Sequence, residues 1–439
     1  MAMVAVRSWG RLTQPEHQVT AINRKDDISA TMAGNKPGIC FGMGRSYGDV
    51  CLNPDGHLWL TRGLDRFISF DPETGVLNCE AGVLLKDIQQ LMVPQGWMVP
   101  VTPGTQLITV GGAIANDVHG KNHHHWGTFG DHVLSFSLQR SDGQDLECSA
   151  EHNTDWFRAT VAGLGLTGII TSARLQLRRV ESPLLDTDTV TYGNLDDFFA
   201  MATESEADWE HTVSWIDCLS GTNSRGIFLR ANHQLTPVDS NAAGKKGSVR
   251  GFTMPLTPPV SLVNRLSLKP FNAAYYALHA RKAGPGVAHY EQFFYPLDKI
   301  SHWNRMYGRK GFYQYQCVIP DLMARPAIAA LMSAIASSGQ GSFLAVLKTF
   351  GDRQAAGLLS FPMAGATLAL DFPNQDAKTT KLFDTLDVIV GEAGGRLYPA
   401  KDARMPKVLF EAGYPELEKF QRFRDRGISS AMSRRLLGS

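Results

Sequence analysis

With 439 residues, 43% of them hydrophobic and 19% charged, the chain is too long for one ordinary core and too apolar for disorder, so two folded domains are expected. A net charge of +1 provides no global field for nucleic acid. The six scattered cysteines form no CxxC pair, and no apolar run reaches about 18 residues, which argues against a disulfide framework and a membrane span. The N-terminus turns polar after six residues, too early for a secretory leader, and cytoplasmic residence is expected, with attachment to a membrane surface left open.

In chain order, "KPGICFGMGRSYGD" is a short apolar run entering a glycine-rich turn, and "LDRFISFDPETGVLNCEAG" alternates as a hairpin about Asp71 to Gly75. Leu84, Leu85, Ile88, Leu91 and Met92 then fall at helical spacing, ended by Pro94 and Gly96. A second hairpin turns at Asp142-Gly143, and a helix follows around Trp156 to Val161. Gly163, Gly165 and Gly168 satisfy GxGxxG, but a dinucleotide fingerprint requires a helix after it, and here Ile169 to Arg178 alternate as a strand. The glycines therefore predict a tight turn.

From about residue 183 the composition changes. The polar stretch "VDSNAAGKKGSVRG" predicts a loop. Beyond it, Leu262, Leu266, Phe271, Tyr275, Tyr276 and Leu278 stand beside Arg265, Lys269, Arg281 and Lys282. A helix packed on the core with a basic edge is the slightly favoured reading, and a surface meeting anionic lipid or an apolar chain is the other.

Two segments carry phosphate-compatible turns. Gly42, Met43, Gly44, Arg45, Ser46 and Tyr47 can form a backbone nest, and Gly104, Gly111, Gly112 and Gly120 supply a second glycine run. Their separation suggests one large cofactor between them. The stretches "WGR" (9–11), "GRSYGD" (44–49), "TPGT" (102–105), "GGAIANDVHGKNHH" (111–124), "GLTGII" (165–170) and "GGRLYPAKDAR" (394–404), with the pairs Tyr315-Gln316 and Leu347-Lys348, resemble the flavoenzyme family with a vanillyl-alcohol-oxidase-type FAD fold. Within that family the resemblance is to oxidases of polyprenyl-phosphoryl-ribose.

The resemblance implies an α+β, two-domain flavoenzyme, with an FAD-binding domain at 1–182, a substrate-binding domain on an antiparallel sheet at 183–395, and a segment at 396–439 returning to the first. It implies that residues 42–47 bind the FAD diphosphate and that Gly104, Gly111, Gly112, Asn116, His119 and Gly120 line the flavin. It also implies that Ile169 meets the adenine end through its backbone, and that Tyr398 and Lys401 return to the isoalloxazine. Arg45 stands where relatives with covalent flavin carry histidine, so non-covalent FAD is expected. Alcohol oxidation on a flavin moves hydride to N5 and a proton to a base while negative charge builds at N1–C2=O; Lys401 is the residue assigned to that charge. The base stays open among His119, Lys121 and Tyr47.

Lys121, Gln316 and Lys348 are the candidates for binding the sugar phosphate. The implied reaction oxidises the 2'-hydroxyl of a polyprenyl-phosphoryl-ribose, and a reductase partner completes epimerisation to the arabinose form, a cell-wall arabinan precursor. The alternative is a soluble sugar, alditol or aldonolactone. In "GATLALDFP" the resemblance leads to an asparagine and a cysteine two and four residues before Asp371, but Ala369 and Thr367 occupy those places, so a cysteine-directed inhibitor lacks its thiol. No metal is expected: His123, His124 and His125 are adjacent and cannot converge on one ion, and no acid pattern surrounds them. His125 and His132 read as structural or surface residues, while His123 and His124 are left open.

Overall fold

The computed structural model describes residues 3–33, 36–220, 224–236 and 252–438, so the loop expected at 238–251 lies outside the described residues. In the first sheet Glu16–Ala21, His57–Leu60 and Gly38–Phe41 run parallel and Met3–Ala5 joins antiparallel. Ile39, Leu58 and Trp59 are buried in it, as the near-continuous apolar runs of parallel strands require.

The second sheet is antiparallel, in the order Phe67–Asp71, Val76–Glu80, Ile169–Gln176, Val133–Gln139, Asp145–Ser149. Its two hairpins turn at Gly75 and Gly143, whose φ angles of 73° and 86° glycine adopts without strain. The ladder between Ile169–Gln176 and Val133–Gln139 is irregular at two places: Thr171 is skipped, its carbonyl accepting from the Ala81 N–H at 2.9 Å, and Leu134 is skipped on the partner strand. Gly163 to Gly168 form a turn, not a helix start. It is pinned to the helix Val110–Ala115 by Ala162 N–H to Ile114 O (3.0 Å) and Leu164 N–H to Ala115 O (2.8 Å).

The third sheet has eight antiparallel strands, ordered Gly284–His289, Leu184–Tyr192, Gly226–His233, His211–Ile216, Ala345–Phe350, Gly365–Pro373, Phe312–Pro320, Arg396–Leu397. Period-two alternation divides its faces. Tyr315, Leu347, Leu368, Leu370 and Phe372 lie on the face covered by the helices Asp321–Ser338 and Ala377–Glu392. Gln314, Gln316, Lys348, Thr367, Ala369 and Asp371 share the other face. A strand face this polar is costly to bury without partners, which marks it as a site rather than a core.

The C-terminal segment returns to the first sheet. Gly38 N–H donates to Gly427 O and Ser429 N–H to Gly38 O, each at 3.0 Å. Arg435 bridges Asp49 (2.8 Å) and Asp402 (2.9 Å), fastening the segment beside the first glycine turn.

The helix Arg265–Ala280, capped by Asn264, lies on the third sheet against Leu184–Tyr192 and Gly226–His233. With Tyr275 against Trp215 (4.9 Å), Phe271 against Phe343 (4.5 Å) and Lys269, Arg281 and Lys282 exposed, it is the expected packed helix with a basic edge. Only Leu268 and Asn272 are buried, with Asn272 donating to Asp217 Oδ1 at 2.7 Å, while Leu266, Phe271 and Leu278 are exposed. No helix among the described residues is long and apolar enough to cross a membrane.

Candidate active site

The second glycine segment is built by close backbone packing. Thr109 caps Val110–Ala115 by accepting from Gly112 N–H at 3.1 Å, and Gly111 N–H donates to Ala81 O at 2.8 Å. A Cβ on Gly111 would meet Ala81 Cβ at 3.1 Å, and one on Gly42 would meet Thr109 Oγ1 at 2.7 Å, so the two glycine segments close on the same threonine and strand end. Gly44 takes a φ of 57°, a left-handed value that allows the turn to double back.

These residues fit FAD. A Cβ on Gly104 would meet nothing within 4 Å, which leaves room for a flat group against the backbone. Asn116 Oδ1, His119 Nδ1 and Arg45 Nε are buried without a hydrogen-bond partner, a demand that a polar cofactor would meet.

His119 occupies the junction between the glycine segment and the polar face of the large sheet. Gln316 Nε2 donates to its Nε2 at 3.1 Å, so the imidazole proton belongs on the unpaired Nδ1. Phe350, Phe361 and Tyr398 surround the ring at 5.0, 5.6 and 5.4 Å, and burial, then Lys348, holds its pKa well below the usual histidine range. Tyr398 Oη donates to the Asn116 carbonyl at 2.8 Å, tying the C-terminal return to the flavin-lining segment.

Four charged groups stand around this junction. Lys348 Nζ donates to Gly120 O at 2.9 Å and Lys121 Nζ to Phe293 O, and burial brings both to a pKa of about 7. Lys401 Nζ lies 4.0 Å from the centre of the Tyr47 ring; burial lowers its pKa to about 8 and the Asp371 charge acts against that fall. Asp371 is fully buried and accepts from Gln314 Nε2 at 2.7 Å, its Oδ2 has no hydrogen-bond partner, and burial raises its pKa to about 7. Asp402 is not Lys401's partner, since Arg404 N–H, Met405 N–H and Arg435 engage it.

The structure thus brings Tyr47, Asn116, His119, Gly120, Lys121, Gln316, Lys348, Tyr398 and Lys401 together. Ile169 stands apart, paired with Gln139 and with its side chain in the core. Sequence reading passed over Asp371 as a site residue; a lone carboxylate in the apolar strand "GATLALDFP" was the available signal. Tyr315 faces away from the site and donates to Asp387 at 3.0 Å. Among the histidines, His124 bonds Trp209 O and His132 bonds Trp126 O, both at 2.8 Å, His123 is buried beside Phe350, and His125 is exposed. The group of described residues with metal-compatible spacing is instead Glu210, His211 and His233, but Arg178 already engages the Glu210 carboxylate.

Residues 20–149 match the FAD binding domain family. Decaprenylphosphoryl-β-D-ribose oxidase of Mycolicibacterium smegmatis is 36% identical over 98% of this chain and 96% of its own length. The chain belongs to this FAD-dependent oxidase family. It is an FAD-dependent oxidoreductase acting on CH–OH groups. An uncharacterized Streptomyces coelicolor protein is 32% identical over 78% of this chain and 95% of its own length. L-Gulonolactone oxidase of Mus musculus is 28% identical, over only 39% of this chain and 38% of its own. The fold expected from the resemblance, an FAD-binding domain with a substrate domain on an antiparallel sheet, agrees with these findings.

Proposed function

We propose that this oxidase takes the 2'-hydroxyl of a polyprenyl-phosphoryl-β-D-ribose to the 2'-keto sugar, the first half of an epimerisation to the arabinose form used in cell-wall arabinan. A reductase partner completes it. The observation that carries this reading is the match to decaprenylphosphoryl-β-D-ribose oxidase across nearly the whole of both chains, the large substrate sheet included. The domains divide at about 182 and 396. FAD is bound without a covalent link, in keeping with Arg45 stacked 4.0 Å over Trp9 at the position expected of an attachment histidine.

Bound FAD supplies the two-electron acceptor. Gly42 to Tyr47 hold its diphosphate, Gly104, Gly111, Gly112, Asn116, His119, Gly120, Tyr398 and Lys401 line its ring, and Ile169 meets the adenine end. Lys401 holds a positive charge where negative charge develops. Tyr47, with a pKa raised well above 10.0 by burial, serves as a hydrogen-bond donor rather than a base. His119 is neutral, but its Nε2 lone pair accepts from Gln316. Lys121, at about 7, has its free amine populated near neutral pH and is the base we favour. Gln316 and Lys348 position the sugar. The exposed apolar and basic residues of the helix Arg265–Ala280 support peripheral contact with a membrane from the cytoplasm.

The test is the visible spectrum of the purified protein, taken anaerobically before and after adding farnesylphosphoryl-β-D-ribose. A flavin band that bleaches supports the reaction and substrate together. A band that responds only to a soluble sugar or aldonolactone refutes the lipid-linked substrate and favours the alternative, to which the changed residues Thr367 and Ala369 on the site face would contribute. Acid denaturation that releases all the flavin supports non-covalent binding.

A further inference from the structure

A cavity of about 310 Å³ opens where the N-terminal segment meets the substrate domain, lined among others by Arg7, Trp9, Arg11, Gly44, His302 and Arg305. No carboxylate is among its lining residues. Arg11 Nη1 is buried without a hydrogen-bond partner, and Arg45 of the flavin-diphosphate turn, outside the lining itself, stacks over Trp9. The cations act on one another: burial, then Arg7 and Arg305, lowers the pKa of Arg11, and burial, then Arg305, Arg45 and Arg11, lowers that of His302. Among the described residues no carboxylate pairs with Arg7, Arg11 or Arg305, while Asp298, itself engaged by Gln106 N–H, acts on Arg45.

The backbone is held to present these groups. Arg11 has a φ of 58°, a left-handed conformation unfavourable for a non-glycine residue. Trp9 N–H donates to Ser46 O (2.9 Å), Asn304 Nδ2 to Trp9 O (2.9 Å) and Phe312 N–H to Gly10 O (2.8 Å), so the turn is fastened to both domains. The wall continues into an apolar ridge. Arg305 Nη1 donates to the carbonyls of Met254 (3.0 Å) and Pro255 (3.1 Å), and Leu262 N–H to Met306 O (2.9 Å). Along this tethered segment Leu256, Val260 and Leu266 are 75%, 72% and 88% exposed.

Uncompensated guanidinium groups beside an exposed apolar ridge match an anion with an apolar tail. We propose that this cavity is the subsite for the phosphate of the lipid-linked substrate, with the first isoprene units lying along Leu256, Val260 and Leu266. The inference rests on the polyprenyl-phosphoryl-ribose reading and reassigns the phosphate. Lys121 and Lys348 are only partly charged near neutral pH, whereas arginine stays charged and can bind phosphate bidentately. The inner lysines are left to the sugar.

The experiment uses the full-length, FAD-loaded protein with farnesyl phosphate, farnesol and inorganic phosphate as binding probes and farnesylphosphoryl-ribose as substrate. The double substitution Arg11→Ala with Arg305→Ala is expected to weaken farnesyl phosphate binding and raise KM by about tenfold or more, with kcat changed far less and FAD content kept. Arg7→Ala, on an exposed side chain, gives a smaller loss of the same kind should the double variant misfold. Leu256→Ser with Val260→Ser lowers affinity for farnesyl phosphate but not for inorganic phosphate. Unchanged farnesyl phosphate affinity in both arginine variants overturns the proposal. So does loss of FAD with farnesyl phosphate binding intact, because the cations would then serve the flavin diphosphate. If arginine-dependent binding is present but farnesylphosphoryl-ribose leaves the flavin oxidised, the subsite stands and the ribose oxidation fails.

Discussion

Replacing Lys401 by methionine keeps an unbranched side chain over Tyr47 and removes the ammonium. Burial takes this lysine from 10.5 to about 8, and at about 1.4 kcal/mol per pH unit the site holds the charged form at a cost of about 3 kcal/mol. A charge retained at such cost is expected to act where the reaction develops negative charge, and removing one electrostatic stabiliser of this type costs on the order of 100- to 1000-fold in rate. Anaerobic stopped-flow flavin reduction measures it directly, with FAD content as the control for folding. The wild-type rate is expected to decline as pH rises through about 8, because the ammonium is present below its pKa and lost above it. Lys401→Arg should abolish that decline, since a guanidinium stays protonated. A methionine variant within about threefold of wild type, or a wild-type rate that does not change across pH 8, would refute the assignment.

Asp371→Asn removes the negative charge that opposes the fall in the Lys401 pKa, so the alkaline decline should move to lower pH; the same rate profile checks it, and a shift to higher pH would contradict the pairing. Gly104→Ala places a methyl where no protein atom lies within 4 Å. Melting of the flavin-free protein should therefore be unchanged, while FAD binding weakens by about tenfold or more, measured by flavin fluorescence titration. Gly48→Ala puts a Cβ 1.6 Å from Asp402 O and 2.9 Å from Ala403 Cα. Backbone on that side cannot swing away, and calorimetry should register a loss of about 3 kcal/mol or more.

Local order and chemistry were legible in the residues themselves. Asp71 to Gly75 and Asp142-Gly143 specify their hairpins because positive φ is cheap only for glycine, and the strand after Gly168 removes the dinucleotide fingerprint because alternation of period two cannot serve a helix. The glycine runs allow close backbone approach to a cofactor, whereas the motif from Gly394 to Arg404 points to the flavin only through the family resemblance. Tertiary structure alone decided the partners. Gln316 meets His119, 197 positions away, and Asp371 acts on Lys401, because strand pairing brings distant side chains onto one face, which no local spacing encodes. It also decided which cations are permanent. Lys121 and Lys348 look like ordinary lysines in sequence, and burial, then Lys348 beside the first and Lys401 beside the second, lowers them to about 7. Arg7, Arg11 and Arg305 converge on one cavity because the turn at Arg11 is held by hydrogen bonds to Ser46 and Phe312, partners that no local spacing encodes.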